Sequence, residues 1–175
     1  KKFQINGVDI NSIADIPSGT GLGSSSSYTV GLLHALYGYC SKYVSSERLA
    51  QEACELEIDV LKEPIGKQDQ YAAAYGGLNH IKFLKNGSFD VSTMKIGKDR
   101  LNELNKHLLL IFTGLPRTAE EVARSYVVDI EAKEKQLNKM QKMVAEAISI
   151  LNGGGSLEEF GELLHESWLL KSSLS

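Results

Sequence analysis

The run Pro17-Ser18-Gly19-Thr20-Gly21-Leu22-Gly23-Ser24-Ser25-Ser26-Ser27 limits the fold more than any other stretch of the chain. Ahead of it, Val8-Asp9-Ile10 and Ile13-Ala14 read as a strand. Behind it, between Tyr28 and Cys40, Val30, Leu33, His34, Tyr37 and Cys40 recur at helical spacing. The segment is therefore strand, glycine-serine loop, helix. Alternating Gly19, Gly21 and Gly23 let the backbone come close where a side chain would block it. Several N–H groups then converge on one place, at the positive end of a helix dipole, and that arrangement holds phosphate. Ser24 and Ser25 add hydroxyls within reach of a phosphate oxygen or a magnesium ion. A flexible linker does not usually combine Pro17, alternate glycines and an immediate apolar helix. The run is not a P-loop, because no Gly-Lys-Ser/Thr follows, and its glycine spacing is not the dinucleotide fingerprint.

Further along, a helix is expected from about Ser46 to Leu61, capped by Ser45 or Ser46 and ended before Pro64. Gly66 to Ala74 opens another. Leu78 to Leu84 alternates as a strand, turns at Asn86-Gly87 as a two-residue hairpin, and returns through Phe89 and Val91. Leu108 to Phe112 suits a buried strand. Thr118 with Glu121 makes a capping box for a long helix to Leu151, with Ile130, Leu137, Met140, Val144, Ile148 and Leu151 as its apolar stripe. Gly153-Gly154-Gly155 stops it, and Ser156 with Glu159 caps a last helix carrying Phe160, Leu163, Leu164 and Trp168.

This is an α+β pattern with a boundary near Asn105. With 42% hydrophobic and 23% charged residues among 175, a disordered chain or a fibre is excluded. A net charge of −3 argues against a nucleic-acid partner, and no apolar run is long enough to span a membrane. Cys40 and Cys54 read as buried free thiols of a reducing, cytoplasmic compartment. His34, His80, His107 and His165 share no spacing and read as structural.

Two carboxylates stand out. Ala50, Ala53, Cys54 and Leu61 share a helical stripe with Glu57, whereas Arg48, Glu52, Glu55 and Asp59 lie opposite. A carboxylate on an apolar stripe must be paired or must bind a cation. Asp69, taken alone, reads as a helix cap. Arg117, after a strand and a glycine and before a helix, suits capture of a substrate phosphate, or pairs with Glu120 or Glu121.

Pro17 through Ser25 resembles the ATP-phosphate loop of the GHMP small-molecule kinases. Glu63 through Gly77, Phe112 through Ala119 and His165 through Lys171 resemble its bacterial sugar-phosphate branch. The resemblance implies a two-domain GHMP kinase fold incomplete at both ends, with residues 1–105 ending the ATP-binding domain and 106–175 beginning the C-terminal one. It implies ATP-phosphate binding at Pro17, Gly19, Gly21, Leu22, Gly23, Ser24, Ser25 and Ser26. It also implies Mg2+ at Ser25 and Glu57, and Asp69 as the residue that orients or deprotonates the acceptor hydroxyl. Lys67 is expected to tune Asp69 or touch a phosphate, and Gly114 and Arg117 to face the substrate. The implied reaction is transfer from ATP to the anomeric hydroxyl of a heptose 7-phosphate. Its alternatives are a galactokinase-like kinase of another sugar and a non-catalytic nucleotide or sugar sensor. A small-molecule sugar phosphate is the expected partner, and a homodimer is left open.

Overall fold

The computed structural model describes residues 3, 5–15, 20–112, 114 and 131–174. They fall into two compact units, one formed by the described residues of 1–93 with Gly114, the other by those of 94–112 and 131–174.

In the first unit, α1 (Ser24–Tyr39) buries Ser26, Thr29, Val30, Leu33 and Tyr37, one face at helical spacing. His34, expected on that stripe, is exposed, and Cys40 is only half-buried. α2 (Ser46–Cys54) starts at Ser45, whose hydroxyl accepts the Arg48 N–H at 3.3 Å. Its buried face, Leu49, Ala50, Ala53 and Cys54, packs on α1 and on α3 (Gln68–Tyr75). The Tyr37 hydroxyl donates to Glu52 at 2.7 Å, and Arg48 Nε reaches the same carboxylate at 2.7 Å. Glu52 is therefore half-buried rather than on a solvated face.

After Cys54 the helix widens into a π-helical turn, Glu55–Val60, closed by the Leu61 N–H on the Leu56 carbonyl at 2.9 Å. A π turn takes more residues per revolution than an α turn, so the stripe holds as far as Glu57 and then drifts. That rotation leaves Leu61, expected inside, 60% exposed.

β1 (Asn79–Phe83) pairs antiparallel with β2 (Phe89–Thr93), setting Ile81 opposite Val91 and Phe83 opposite Phe89. The turn is not the expected two-residue one. The Leu84 N–H bonds the Ser88 carbonyl and the Gly87 N–H the Leu84 carbonyl, so Lys85, Asn86 and Gly87 form the loop. Gly87 takes φ +82°, as a type I turn closed by a left-handed residue requires. Asn86 Oδ1 accepts from the Ser88 N–H and hydroxyl, pinning the return strand. The hairpin folds onto Tyr71, whose ring meets Phe89 edge-on at 4.4 Å and Phe83 at 5.5 Å.

Two expected strands are absent. Residues 8–14 carry no strand, and Ile13 is 95% exposed. Leu108 to Phe112 is likewise irregular and exposed, with Leu109 at 83%. A strand exists only through a ladder partner, and among the described residues neither segment has one.

The second unit holds α4 (Lys98–His107), α5 (Glu134–Ser149) and α6 (Leu157–Ser172). α4 was not expected, because its polar composition leaves Leu104 as its single buried residue. The capping box at Thr118 and Glu121, and the expected helix as far as Ile130, lie outside the described residues. α5 buries Met143, with Ala147 and Ile150 beside it, a face displaced from the expected one; Leu137 and Val144 are exposed. A second π-helical turn, Ile150–Gly154, turns both Ile150 and Leu151 inward. It ends at Gly153, φ +99°, and Gly154, where a Cβ would lie 2.7 Å from the Ser149 hydroxyl. Ser156 caps α6 as expected, accepting the Glu159 N–H at 3.3 Å. No helix among the described residues is long and apolar enough to cross a membrane.

Candidate active site

The described loop residues behave as a phosphate loop requires. Gly21 and Gly23 take φ +76° and +67°, a region costly for any residue with a Cβ. Gly23 is also the N-cap of α1 and brings no capping side chain. The first intrahelical bond runs from the Ser27 N–H to the Gly23 carbonyl at 2.9 Å. The N–H groups of Ser24, Ser25 and Ser26 thus precede the helical ladder, at the positive end of a 16-residue helix with no acidic residue in its first turn. Gly21, Leu22 and Ser25 are exposed, and Gly23 and Ser24 half-buried. Pro17 and Gly19 lie outside the described residues, as does Arg117.

Asp69 comes to this loop from the first turn of α3. A Cβ placed on Gly23 would stand 3.2 Å from both Cγ and Oδ2 of Asp69. The aspartate side chain therefore packs on the bare face of the last loop glycine. It is otherwise exposed, so its carboxylate remains open to a ligand.

Glu57, from the π-helical turn, is 3% exposed, as its place on the apolar stripe predicts. Three donors meet it. The Ser26 hydroxyl reaches Oε2 at 2.9 Å, the Gln70 amide Nε2 reaches Oε2 at 2.5 Å, and the Thr29 hydroxyl reaches Oε1 at 3.3 Å. Among the described residues no cation pairs with it, so hydroxyl and amide dipoles carry the desolvated charge. The Ser26 hydroxyl is thereby turned inward, leaving its backbone N–H as its group toward a phosphate.

Could these residues hold a nucleotide and a divalent cation? The donor-rich helix end, with two left-handed glycines ahead of it and no acidic residue in its first turn, fits a phosphate chain. Mg2+ is typically held by one or two carboxylates together with phosphate oxygens, rather than by an all-protein cage. Glu57 fits that need, since its Oε1 takes only one long hydrogen bond. The exposed Ser25 hydroxyl fits as a second oxygen donor.

Lys67, exposed at the N-cap of α3, sits two positions before Asp69. It lines a shallow cleft with Cys54, Asp59 and Tyr71, and its charge partly offsets the burial that pushes the Cys54 thiol up to about 11. Gly114 belongs to the same compact unit as the loop and takes φ +73°. Thr29 and Gln70 were not singled out from sequence. Ser26 and Thr29 share the buried face of α1 with Val30 and Leu33, and two hydroxyls on such a face signal a buried polar partner.

Residues 1–77 match the family model "GHMP kinases N terminal domain". D-glycero-α-D-manno-heptose 7-phosphate kinase of Campylobacter jejuni is 29% identical over 168 residues, covering 95% of this chain and 49% of that protein. L-fucokinase/L-fucose-1-P guanylyltransferase of Bacteroides fragilis is 29% identical over 170 residues, 93% of this chain and 18% of that protein. The crystal structure of a D-glycero-D-manno-heptose 1-phosphate kinase from Bacteroides thetaiotaomicron superposes with a TM-score of 0.65 at 27% identity, covering 90% of this chain and 46% of that one. The chain thus spans about half the length, or less, of the relatives it matches. Residues 1–77, which gather the glycine loop, Glu57 and Asp69 in one unit, are thus similar to the N-terminal domain of the GHMP kinases.

Proposed function

We propose that the protein transfers the γ-phosphoryl group of ATP to a sugar-phosphate hydroxyl, and that the acceptor is the anomeric hydroxyl of D-glycero-D-manno-heptose 7-phosphate. One observation carries the reaction class: the Asp69 carboxylate packs on Gly23, the residue from which the phosphate-facing helix starts. A base and a phosphate cradle in contact are what in-line phosphoryl transfer needs, since the work is positioning and charge stabilisation. The name of the Campylobacter jejuni relative supports the acceptor, and that of the solved structure, a heptose 1-phosphate kinase, supports a heptose phosphate as the substrate class.

In this reading the N–H groups of Ser24 to Ser26, with Gly19, Gly21, Leu22 and Pro17 shaping the loop, hold the triphosphate. Glu57 and Ser25 hold Mg2+, which when bound screens the charge that develops on the phosphate oxygens. Asp69 orients the acceptor hydroxyl and takes its proton as the oxygen bonds to the γ-phosphorus and the bond to the bridging oxygen of ADP breaks. Lys67, Gly114 and Arg117 are assigned to the acceptor side. The nucleotide-binding domain, expected over 1–105, is assigned to the first compact unit and the next domain, expected over 106–175, to the second, and the reaction is assigned to the cytoplasm.

The test is ADP release by the intact protein with MgATP across sugars and sugar 7-phosphates. Turnover on heptose 7-phosphate is expected, with Asp69→Asn lowering kcat by about 10²–10⁴. Turnover only on an unphosphorylated sugar overturns the acceptor. Nucleotide binding without turnover on any sugar overturns the enzyme in favour of a sensor.

A further inference from the structure

Gln70 is fully buried, yet only half of its amide is used. Nε2 donates to Glu57 at 2.5 Å, while Oε1 has no hydrogen-bond partner among the described residues. The amide's orientation follows from chemistry, because a carboxylate only accepts and the NH2 group must therefore face it. An orphaned buried carbonyl opposes folding, and a methionine of similar length would fill the same space without one. Packing alone does not account for glutamine here. The part of the side chain that acts is the part that touches Glu57.

The neighbouring residue sharpens the point. Asp69 and Gln70 are consecutive in the first turn of α3, so their side chains leave the helix about 100° apart. One meets Gly23 and the other meets Glu57. A single helical turn therefore fixes both carboxylates, one directly and one through a hydrogen bond.

We infer that Gln70 is a positioning residue that holds the Glu57 carboxylate in the orientation that binds the divalent cation, and keeps it in register with Asp69. The inference rests on the proposed role of Glu57 toward the nucleotide-bound cation. By fixing Oε2, Gln70 and Ser26 leave Oε1, with its one 3.3 Å bond to Thr29, as the oxygen that turns to the metal. Partners of this kind orient metal ligands, and their loss typically costs about 10–100-fold in metal affinity.

The experiment uses the intact protein with Mn2+ and a non-hydrolysable ATP analogue, reading bound Mn2+ by electron paramagnetic resonance. Gln70→Met should weaken Mn2+ binding at least about tenfold. Affinity for the metal-free analogue should stay nearly unchanged, and the melting temperature should fall by only a few degrees, because losing a donor to Glu57 is partly offset by removing the orphaned carbonyl. If Gln70→Met does not fold, Gln70→Asn, an amide too short to reach Oε2, should show the same selective loss. Unchanged Mn2+ affinity in a folded variant overturns the inference. So does an equal loss of metal-free nucleotide binding, which would mark a merely structural role. A parent protein that binds the analogue but takes up no Mn2+ overturns the cation role of Glu57 itself, and the Gln70 assignment with it.

Discussion

Gly23 serves three purposes at once: it takes φ +67°, starts α1 without a capping side chain, and offers a bare face to Asp69. Gly23→Ala brings two faults together. The left-handed backbone costs about 1 kcal/mol once a Cβ is present, and that Cβ stands 3.2 Å from the Asp69 carboxyl. Asp69 lies at the surface and can yield, so the displacement should appear in kcat rather than in folding. A fall on the order of a hundredfold is expected from a misplacement of this size, with a melting temperature lowered by only a few degrees. A folded Gly23→Ala protein with parental kcat would show that Asp69 is not placed by the loop. Read from sequence, Glu57 was the most legible member of the site, because a carboxylate on an apolar stripe contradicts its neighbours. Gln70 was illegible, since an amide after an aspartate carries no such contradiction until its burial is known.

Among the elements, those whose determinants are local were readable. Ser45 and Ser156 cap helices where their sequence positions indicate, and the Gly153-Gly154-Gly155 run ends the helical path. Elements that depend on distant partners were not. Residues 8–14 and 108–112 have strand-like composition but no ladder, and α4 hides behind a polar sequence with one buried leucine. What secures α4 is Arg100, whose Nη2 donates to the Ile150 carbonyl at 3.0 Å and the Gly155 carbonyl at 2.6 Å. Those carbonyls bracket the second π-helical turn, so one guanidinium closes the end of α5. Arg100→Ala should lower stability by about 1.5–3 kcal/mol, the range for hydrogen bonds to a charged donor. Urea denaturation measures it. Arg100→Lys should recover only part of the loss, because an ammonium lacks the planar fork. A change below about 0.5 kcal/mol in Arg100→Ala, the scale of an ordinary surface substitution, would remove the clamp from this account.

Over the whole molecule, acid–base stability is distributed unevenly. Among the described residues, the groups that burial pushes above their usual range are Cys54, Tyr71 and Tyr75, all in the first unit. Burial is the leading cause in each, raising Cys54 to about 11 and Tyr71 to about 12. A raised folded value means that the unfolded chain ionises first as pH rises, so the unfolded state binds fewer protons. The associated stability is complete below about pH 9, the ordinary range of a thiol, and falls from there through about pH 11 for Cys54 and about pH 12 for Tyr71. Thermal melts at stepped pH should show the first unit losing stability above pH 9, with Cys54→Ala removing the earliest part of the decline. A melting temperature flat up to pH 11 would contradict it.

The Gln70–Glu57 hydrogen bond has a consequence for inheritance. It closes a segment whose ends lie 13 positions apart and which contains the π-helical turn, Pro64 and the start of α3. Side-chain replacements at its exposed positions leave that closure intact, but a gained or lost residue re-phases everything after it. One register step would turn Asp69 from Gly23, or carry Gln70 out of reach of Glu57. Descendants of this gene can therefore vary in the letters of residues 58–68 far more readily than in their number.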